Sequence, residues 1–563
     1  MKILGSDVII ESLKKEGVEI VFGYPGGAVL PLYDALYRSK FPHVLARHEQ
    51  GAVHAADGYA RATGKVGVCI ATSGPGATNL ITGIATAYMD SVPLVAITGQ
   101  VGVSLIGKDS FQEADVRGIT TPITKHNYLV KTIQDLPRVL KEAFYIARTG
   151  RPGPVVVDIS KDVFNDEIDY EYPQNVKLRG YSPVFSRDQG TIELVLEKMK
   201  QAKKPVFFVG GGVNISDTSD ILRKIIELTG FPVISSLMGL GCISSADEQH
   251  LGMVGMHGTY AANIATTECD LLLGIGVRFD DRVTGIVKDF APRAQVVHFD
   301  IDPAEINKNI IADIRVVGDL RWSLPLLYEK AVAYNRQEWR SCIHEWLTTV
   351  GGWKRDNPLY YRCSDEVIMP QSVIETISQL TNGDAIIVTD VGQHQMWTAQ
   401  YYQFINQRSF LTSGGLGTMG YGLPAAIGAQ LSLPEKTVIL FTGDGSIMMN
   451  CQEMATAANN NVAVKIIVMN NQVLGMVNQW QRMFYEERYS HTCLKGQTDF
   501  VKLAEAMGVK GLRVTKPSEL QATLAQALRI EGPVLVDIWL PDGEDVLPMV
   551  PANCRLDQMV LGG

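Results

Sequence analysis

The 563-residue chain has little of what marks several large protein classes. It carries no basic block. Its 51 Lys and Arg stand against 60 Asp and Glu, and a net charge of −9 argues against a nucleic-acid surface. No apolar run approaches the ~18 residues needed to cross a bilayer, so no membrane span is expected. The eight cysteines are scattered without a CxxC pair. That spacing excludes a disulfide framework or zinc ribbon, and reduced, buried thiols are expected instead. The amphipathic helical pattern over 8–15 does not read as a signal or transit peptide, and none is expected. A cytoplasmic protein is therefore expected, or a plastid stromal one if the chain is organelle-encoded or trimmed.

Hydrophobic residues make up 46% and charged residues 20%, the balance of an ordinary globular protein. The chain is too long for one core, and three or four domains are expected. Short Val/Ile-rich runs recur over 66–71, 94–98, 155–159, 206–209, 271–275, 296–299, 386–388, 438–441, 466–469 and 534–538. Each ends in or near Gly, Asp or Asn and leads into a longer helical pattern. Continuous apolar strands alternating with helices predict doubly wound parallel sheets, an α/β fold.

The chain also echoes itself. Gly153-Pro-Val-Val-Val-Asp-Ile159 matches Gly532-Pro-Val-Leu-Val-Asp-Ile538, and Thr72-Ser-Gly-Pro-Gly76 closes a strand as Thr442-Gly-Asp-Gly445 does. Chance similarity of buried strands is the alternative to a repeat. Two related domains around a different middle one are expected. Polar connectors over 164–187 and 336–369 place the domains near 1–180, 190–345 and 370–563.

The most informative signal lies in the third domain. Gly443-Asp444-Gly445-Ser446 follows one predicted strand and Asn470-Asn471 follows the next. Read as strand, helix, strand, they put a carboxylate and an amide carbonyl at neighbouring parallel strand ends, where ligands bind in open α/β sheets. Oxygen ligands suit Mg²⁺ shared with substrate phosphates. The glycines let the backbone approach a diphosphate. The pair resembles the thiamine-diphosphate motif.

In the first domain Glu49 begins a helix of small residues. A Glu there is ordinarily a surface residue favoured by the helix dipole. Its small apolar neighbours instead predict a packed carboxyl suited to bond a ring nitrogen. Ser73-Gly-Pro-Gly-Ala-Thr-Asn79 reads as a strand-to-helix turn, weak alone. Val391-Gly-Gln-His394 and Gly415-Leu-Gly-Thr-Met419 are two more. Met476 either supports a bent cofactor or simply packs a core. The middle domain holds Gly210-Gly211-Gly212, Asp300-Ile-Asp302 and Gly318-Asp319 at strand ends. Without a full GxGxxG these mean some nucleotide, or only turns.

Four further strings narrow the field: Phe22-Gly-Tyr-Pro-Gly-Gly-Ala28, Arg47-His-Glu-Gln-Gly-Ala52, Gly276-Val-Arg-Phe-Asp-Asp-Arg-Val-Thr-Gly285 and Leu474-Gly-Met-Val-Asn-Gln-Trp480. With them the chain resembles, over essentially its whole length, catalytic subunits of the acetohydroxyacid synthase (acetolactate synthase) family of the biosynthetic type. The resemblance implies thiamine diphosphate, Mg²⁺ and FAD as cofactors, with no net flavin redox in the main reaction. It implies decarboxylation of pyruvate and transfer of the remaining two-carbon unit to pyruvate or 2-oxobutyrate, in branched-chain amino acid biosynthesis.

The resemblance also implies site residues. Glu49 is the expected catalytic acid. On the pyrimidine side of thiamine diphosphate the expected residues are Tyr24, Pro25, Thr72, Gly76, Asn79 and Gln112. On the diphosphate side they are Val391, Gly392, Gln393, His394, Gly417, Met419, Gly443, Asp444, Gly445, Ser446, Asn471, Gly475 and Met476. Asp444, Asn471 and the Val473 carbonyl are the expected metal ligands. Relatives often carry Gln-His where this chain has Gln472-Val473, a change a backbone ligand tolerates. For FAD the residues are Arg151, Gly210, Gly211, Gly212, Leu237, Met256, His257, Arg278, Asp300, Ile301 and Asp319. For substrate they are Gly27, Phe111, Gln112, Lys161, Asp281, Arg282 and Trp480. Arg282 suits a substrate carboxylate, or else an ion pair with Asp280 or Asp281. Trp480 suits an acceptor wall, or else an ordinary interface aromatic.

The family implies a homodimer or dimer of dimers with sites at the subunit interface, and a possible separate regulatory small subunit. Neither nucleic acid nor membrane is an expected partner. Three other readings remain open: a catabolic, flavin-free acetolactate synthase, a flavin-dependent pyruvate oxidase, and an inactive nucleotide-binding scaffold. The strings around Arg278 and Trp480 speak against the first, and the intact Glu49, Asp444 and Asn471 set speaks against the last.

Overall fold

The computed structural model describes residues 2–183, 187–496 and 498–561. Met1 and residues 184–186 of the first predicted connector lie outside the described residues. Three six-stranded, all-parallel sheets organise the chain. Every predicted strand forms, most of them a residue or two longer than the apolar run. Pro154–Ser160 and Leu94–Gln100 are buried along their full length, as strands covered by helices on both faces must be.

The first sheet runs, in space, His43–Leu45, Val21–Gly23, Gly67–Ala71, Leu94–Gln100, Pro154–Ser160, His126–Val130. The third runs Phe410–Leu411, Ile386–Thr389, Val438–Gly443, Lys465–Asn470, Val534–Trp539, Lys510–Val514. Numbered by chain order, both read two, one, three, four, six, five. The matching Gly-Pro-Val strings occupy the same fifth place in each. The middle sheet differs: His250–Met253, Val233–Ser235, Pro205–Val209, Leu271–Ile275, Gln295–Asp300, Ile314–Val317. It reads three, two, one, four, five, six, the order of dinucleotide-binding sheets.

The first and third domains are locked together. Helix Glu49–Thr63 crosses helix Gly422–Ser432 so closely that a Cβ on Gly58 would overlap the Ala425 carbonyl, and one on Gly428 the Ala55 carbonyl. Beside this crossing Arg61 is buried between Asp57 and Asp90. Tyr421 donates to Asp57 at 2.9 Å, and Asp90 accepts the N–H groups of Gly414 and Gly415 at 3.0 and 2.7 Å.

The second connector, whose pattern reads as helix then loop, forms two helices and then a loop over 357–369. Helices Arg336–Ser341 and His344–Asp356 press Trp339 and Trp346 into the middle domain's core. Beyond Val534–Trp539 the chain returns to that domain. Val550 N–H donates to the Met256 carbonyl at 2.7 Å, and Val550 and Leu556 join the same core. Among the described residues no helix is long and apolar enough to cross a membrane. All eight cysteines are free. The expectation of buried thiols holds for Cys69, Cys242 and Cys269, but Cys342 and Cys363 in the second connector and Cys493 in a loop of the third domain are exposed, all three outside the sheets.

Candidate active site

In the third sheet the strand order reverses between Ile386–Thr389 and Val438–Gly443, and a crevice opens at their carboxyl ends. Val391 and helix Gln393–Tyr401 form one side; Asp444 and Ser446 form the other. Ser446 Oγ donates to the Val391 carbonyl at 3.2 Å, closing the base. The neighbouring strand Lys465–Asn470 pairs Met469 with Gly443, which brings Asn471 beside Asp444. The backbone then turns at Gln472 (φ 60°) into Val473 and helix Gly475–Phe484.

This crevice is part of a cavity of about 1190 Å³ that reaches into the middle domain. Every residue predicted for the diphosphate side lines it, from Val391 through Met476, with Val473. Met476 lines the cavity and also packs against the third domain's core. Asp444 is 5% exposed, and burial pushes its carboxyl up to about 7. His394 is buried, pulled down to about 3 by that burial, with Nε2 unpartnered among the described residues. It is a neutral imidazole with a free ring nitrogen at the cavity wall. No cluster of three or more His, Cys, Asp or Glu suited to a metal occurs among the described residues. A single carboxylate with an amide oxygen and a carbonyl fits Mg²⁺ that completes its shell with phosphate and water. It does not fit a metal held by protein alone.

At the other end of the cavity lies the middle domain's own reversal, between Pro205–Val209 and Leu271–Ile275. Gly211 and Gly212 line it, whereas Gly210 lies behind the wall. A Cβ on Gly210 would overlap the Gly276 carbonyl, and one on Gly212 would stand 2.7 Å from Gly276 Cα. These two glycines are bare because a second loop presses against them. Leu237, Met256, His257, Arg278, Ile301, Asp300 and Asp319 line the same space. Burial pushes Asp300 up to about 6. Arg151 reaches in from the first domain, held by Ser91 at 2.8 Å, Glu305 at 2.7 Å and Asp302 at 3.2 Å.

Asp281 and Arg282 of the middle domain and Trp480 of the third line the same cavity. The Arg282 guanidinium lies 5.9 Å from the Trp480 ring centre and only loosely against Asp281, at 3.7 Å. Asp280 instead caps the helix through the Arg282 N–H. Arg282 is 61% exposed and thus mostly free for a ligand.

The remaining predicted residues form a second group, on the first domain, that does not line the cavity. Glu49 is 9% exposed and opens helix Glu49–Thr63. Its Oε2 accepts from Asn79 Nδ2 at 3.0 Å. A Cβ on Gly76 would stand 3.2 Å from its Oε1 and 2.7 Å from the Thr72 methyl. Thr72 Oγ1 accepts the Ala28 N–H, next to Gly27, Pro25 and Tyr24. Gln112 is in the left-handed region (φ 59°) and packs on Gly74, beside Phe111, which is 89% exposed. Lys161 is exposed and opens a short helix at the end of strand Pro154–Ser160; that helix buries Val163 and Phe164 in the first domain's core. Within this chain Glu49 and Asp444 thus belong to two separate groups, only the second of which lines the cavity.

Two contributors carry no motif. Asp90 holds the Gly414–Gly415 backbone at the cavity wall, and Glu453 holds the backbone ahead of Glu49. Arg47 N–H donates to both Glu453 oxygens at 3.0 and 3.2 Å, and His48 N–H to one at 3.0 Å.

Comparison with known proteins agrees with this layout. Residues 3–119 match the thiamine pyrophosphate enzyme N-terminal TPP binding domain, 192–327 the central domain and 390–538 the C-terminal TPP binding domain. The chain is 48% identical to the acetolactate synthase isozyme 3 large subunit of Escherichia coli, over 99% of this chain and 98% of that protein. It is 50% identical to the acetolactate synthase large subunit of Corynebacterium glutamicum, over 98% and 89%. It is 48% identical to the probable acetolactate synthase large subunit of Methanocaldococcus jannaschii, over 99% and 95%. With its paired thiamine-diphosphate domains and a carboxylate–amide pair at the third domain's strand ends, the chain belongs to the acetolactate synthase large-subunit family of thiamine pyrophosphate enzymes.

Proposed function

We propose that two copies of this chain bind thiamine diphosphate between them, with Mg²⁺ and FAD, and convert pyruvate and a second 2-oxo acid into an acetohydroxy acid and CO₂. The observation that carries this reading is the division into two separate groups. Asp444 and Asn471 line the cavity, while Glu49 does not, and the first domain that carries Glu49 leaves Phe111 and Tyr24 exposed. A second copy supplies the missing half to each, as a symmetric dimer allows.

Asp444 and Asn471 side-chain oxygens and the Val473 carbonyl hold Mg²⁺ and, through it, the diphosphate. His394 and the glycines of the crevice accommodate the phosphates. Glu49 holds and moves a proton at the pyrimidine ring, and Asn79 fixes the orientation of its carboxyl. Thiamine diphosphate supplies an activated carbon and the electron sink for decarboxylation. Arg282 pairs in bidentate fashion with the carboxylate of the incoming 2-oxo acid. Trp480 gives that acid an apolar wall, where an extra methylene is worth roughly 1–3 kcal/mol and favours 2-oxobutyrate. Gly211, Gly212, Asp300 and Asp319, at a dinucleotide-type strand reversal, support FAD in the second compartment. The relatives' description as large subunits supports a separate small partner.

Mixing two inactive variants tests the divided site. Glu49→Gln and Asp444→Ala homodimers should each be nearly inactive in acetolactate formation. Co-refolded or co-expressed, they should recover roughly a quarter of wild-type activity, because half the dimers are mixed and each of those has one intact site. No recovery on mixing contradicts the shared site.

A further inference from the structure

Gln479 is fully buried on helix Gly475–Phe484, and both ends of its side-chain amide meet the main chain of one residue. Val546 N–H donates to Gln479 Oε1 at 3.0 Å, and Gln479 Nε2 donates to the Val546 carbonyl at 3.3 Å. A main-chain N–H only donates and a carbonyl only accepts, so Gln479 has one permitted orientation. Its Oε1 then meets Gln393 Nε2, which donates at 3.0 Å. The same Nε2 donates to the Glu544 carbonyl at 2.9 Å. Gln393 Oε1 is thereby turned the other way, where it accepts from Asn471 Nδ2 at 3.1 Å.

The polarity of three side-chain amides is thus set by the main chain of residues 544–546. The amide of Asn471 is left with its Nδ2 committed and its Oδ1 directed elsewhere. The Val473 N–H stands 3.4 Å from that Oδ1, too far for a strong bond. Gly475 makes the relay possible. A Cβ there would overlap Gln393 Oε1 and come within 2.8 Å of Asn471 Nδ2.

We propose that Gln393 and Gln479 are positioning residues that transmit the fixed polarity of the 544–546 segment to Asn471 and keep its oxygen, rather than its NH₂, toward the divalent cation. The proposal rests on the reading of Asn471 as a cation ligand. An inverted Asn471 presents the positive end of its amide to the cation and removes one ligand. Gln393 changes role as well. Both N–H groups of its side chain are spent inside the protein, so it orients a ligand instead of gripping the cofactor.

Mn²⁺, followed by loss of its free-ion electron paramagnetic resonance signal in the presence of thiamine diphosphate, is the probe. Gln393→Met should raise the apparent Mn²⁺ dissociation constant about 10- to 100-fold, as outer-shell changes do. Gln479→Met should raise it less, because the Glu544 carbonyl still holds Gln393. An Asn471→Asp background makes the test specific. A carboxylate has oxygen on both sides and no wrong orientation, so Gln393→Met should there change the constant by less than about two-fold. Equal losses in both backgrounds mean ordinary packing support and overturn the proposal. Asn471→Ala separates the two levels. Unchanged Mn²⁺ affinity in that variant removes Asn471 as a ligand. Lost affinity there, with wild-type affinity in Gln393→Met, overturns the orienting relay alone. Gln479→Met carries the same cycle if Gln393→Met does not fold.

Discussion

Glu453 belongs to the third domain, yet its carboxylate is bonded to the first. It is 1% exposed; its two oxygens share the single Arg47 N–H, one of them also accepts the His48 N–H, immediately ahead of Glu49, and Thr456 donates to it at 2.7 Å. Glu453→Ala would leave the part-buried Arg47 and His48 N–H groups without this partner. Each stranded group costs about 1–3 kcal/mol, so the segment gains up to about 2–6 kcal/mol by moving toward water. Glu49 would move with it. A shift of about 1 Å in a reacting group lowers turnover about 100-fold. The expected result is a kcat for acetolactate formation reduced on that scale, with thiamine diphosphate affinity nearly unchanged, because Glu453 does not line the cavity.

A companion change acts from the other side. A Cβ on Gly51 would press into the Glu453 carboxylate, and such overpacking costs about 1–3 kcal/mol. Gly51→Ala should therefore lower kcat as well. Glu453→Asp, one methylene shorter, should partly restore it in the double variant. The assay is colorimetric acetolactate formation at saturating pyruvate, with cofactor binding followed by tryptophan fluorescence and folding by circular dichroism. A folded Glu453→Ala protein with wild-type kcat refutes the link.

Two other predictions follow from the same geometry. Glu49→Gln should lose about 10²–10⁴-fold in acetolactate formation, the range for a positioned acid–base group, while still binding thiamine diphosphate in a fluorescence titration. Asp444, with its carboxyl near 7, must shed a proton to hold Mg²⁺. Its proton competes below pH 7 and not above. Apparent Mg²⁺ affinity should thus fall about tenfold per pH unit below 7 and level off above it, and a flat profile from pH 6 to 8 would count against Asp444 as a ligand.

Much of the architecture was legible in the chain. Runs such as Val155-Val156-Val157 are apolar on both faces because helices cover both faces, and their shortness, β-branching and flanking Gly and Pro separate them from a buried helix. Strands Val21–Gly23 and Phe410–Leu411 were not legible, since two or three residues carry no periodicity. The diphosphate side of the site was readable because Asp444 and Asn471 sit in local turns at strand ends. Glu453 was not. Its partner Arg47 lies 406 residues away, and a lone Glu at a helix start looks like any surface residue. The amide relay from Val546 to Asn471 was hidden for the same reason. Gly51, Gly58 and Gly428 read as poor helix formers, and only the packed structure gives each a neighbour that forbids a side chain. Gly210 and Gly212 read as a nucleotide-type loop or only a turn, and in the structure their smallness serves the contact with Gly276.

The central claim is that this chain performs carbon–carbon ligation with thiamine diphosphate anchored at Asp444 and Asn471. The direct measurement is the product mixture from pyruvate plus 2-oxobutyrate, with thiamine diphosphate, Mg²⁺ and FAD each present or omitted. The account predicts CO₂ with 2-acetolactate and 2-aceto-2-hydroxybutyrate only when thiamine diphosphate and Mg²⁺ are both supplied. No CO₂ from the fully supplied protein, or the same products without thiamine diphosphate, would contradict it.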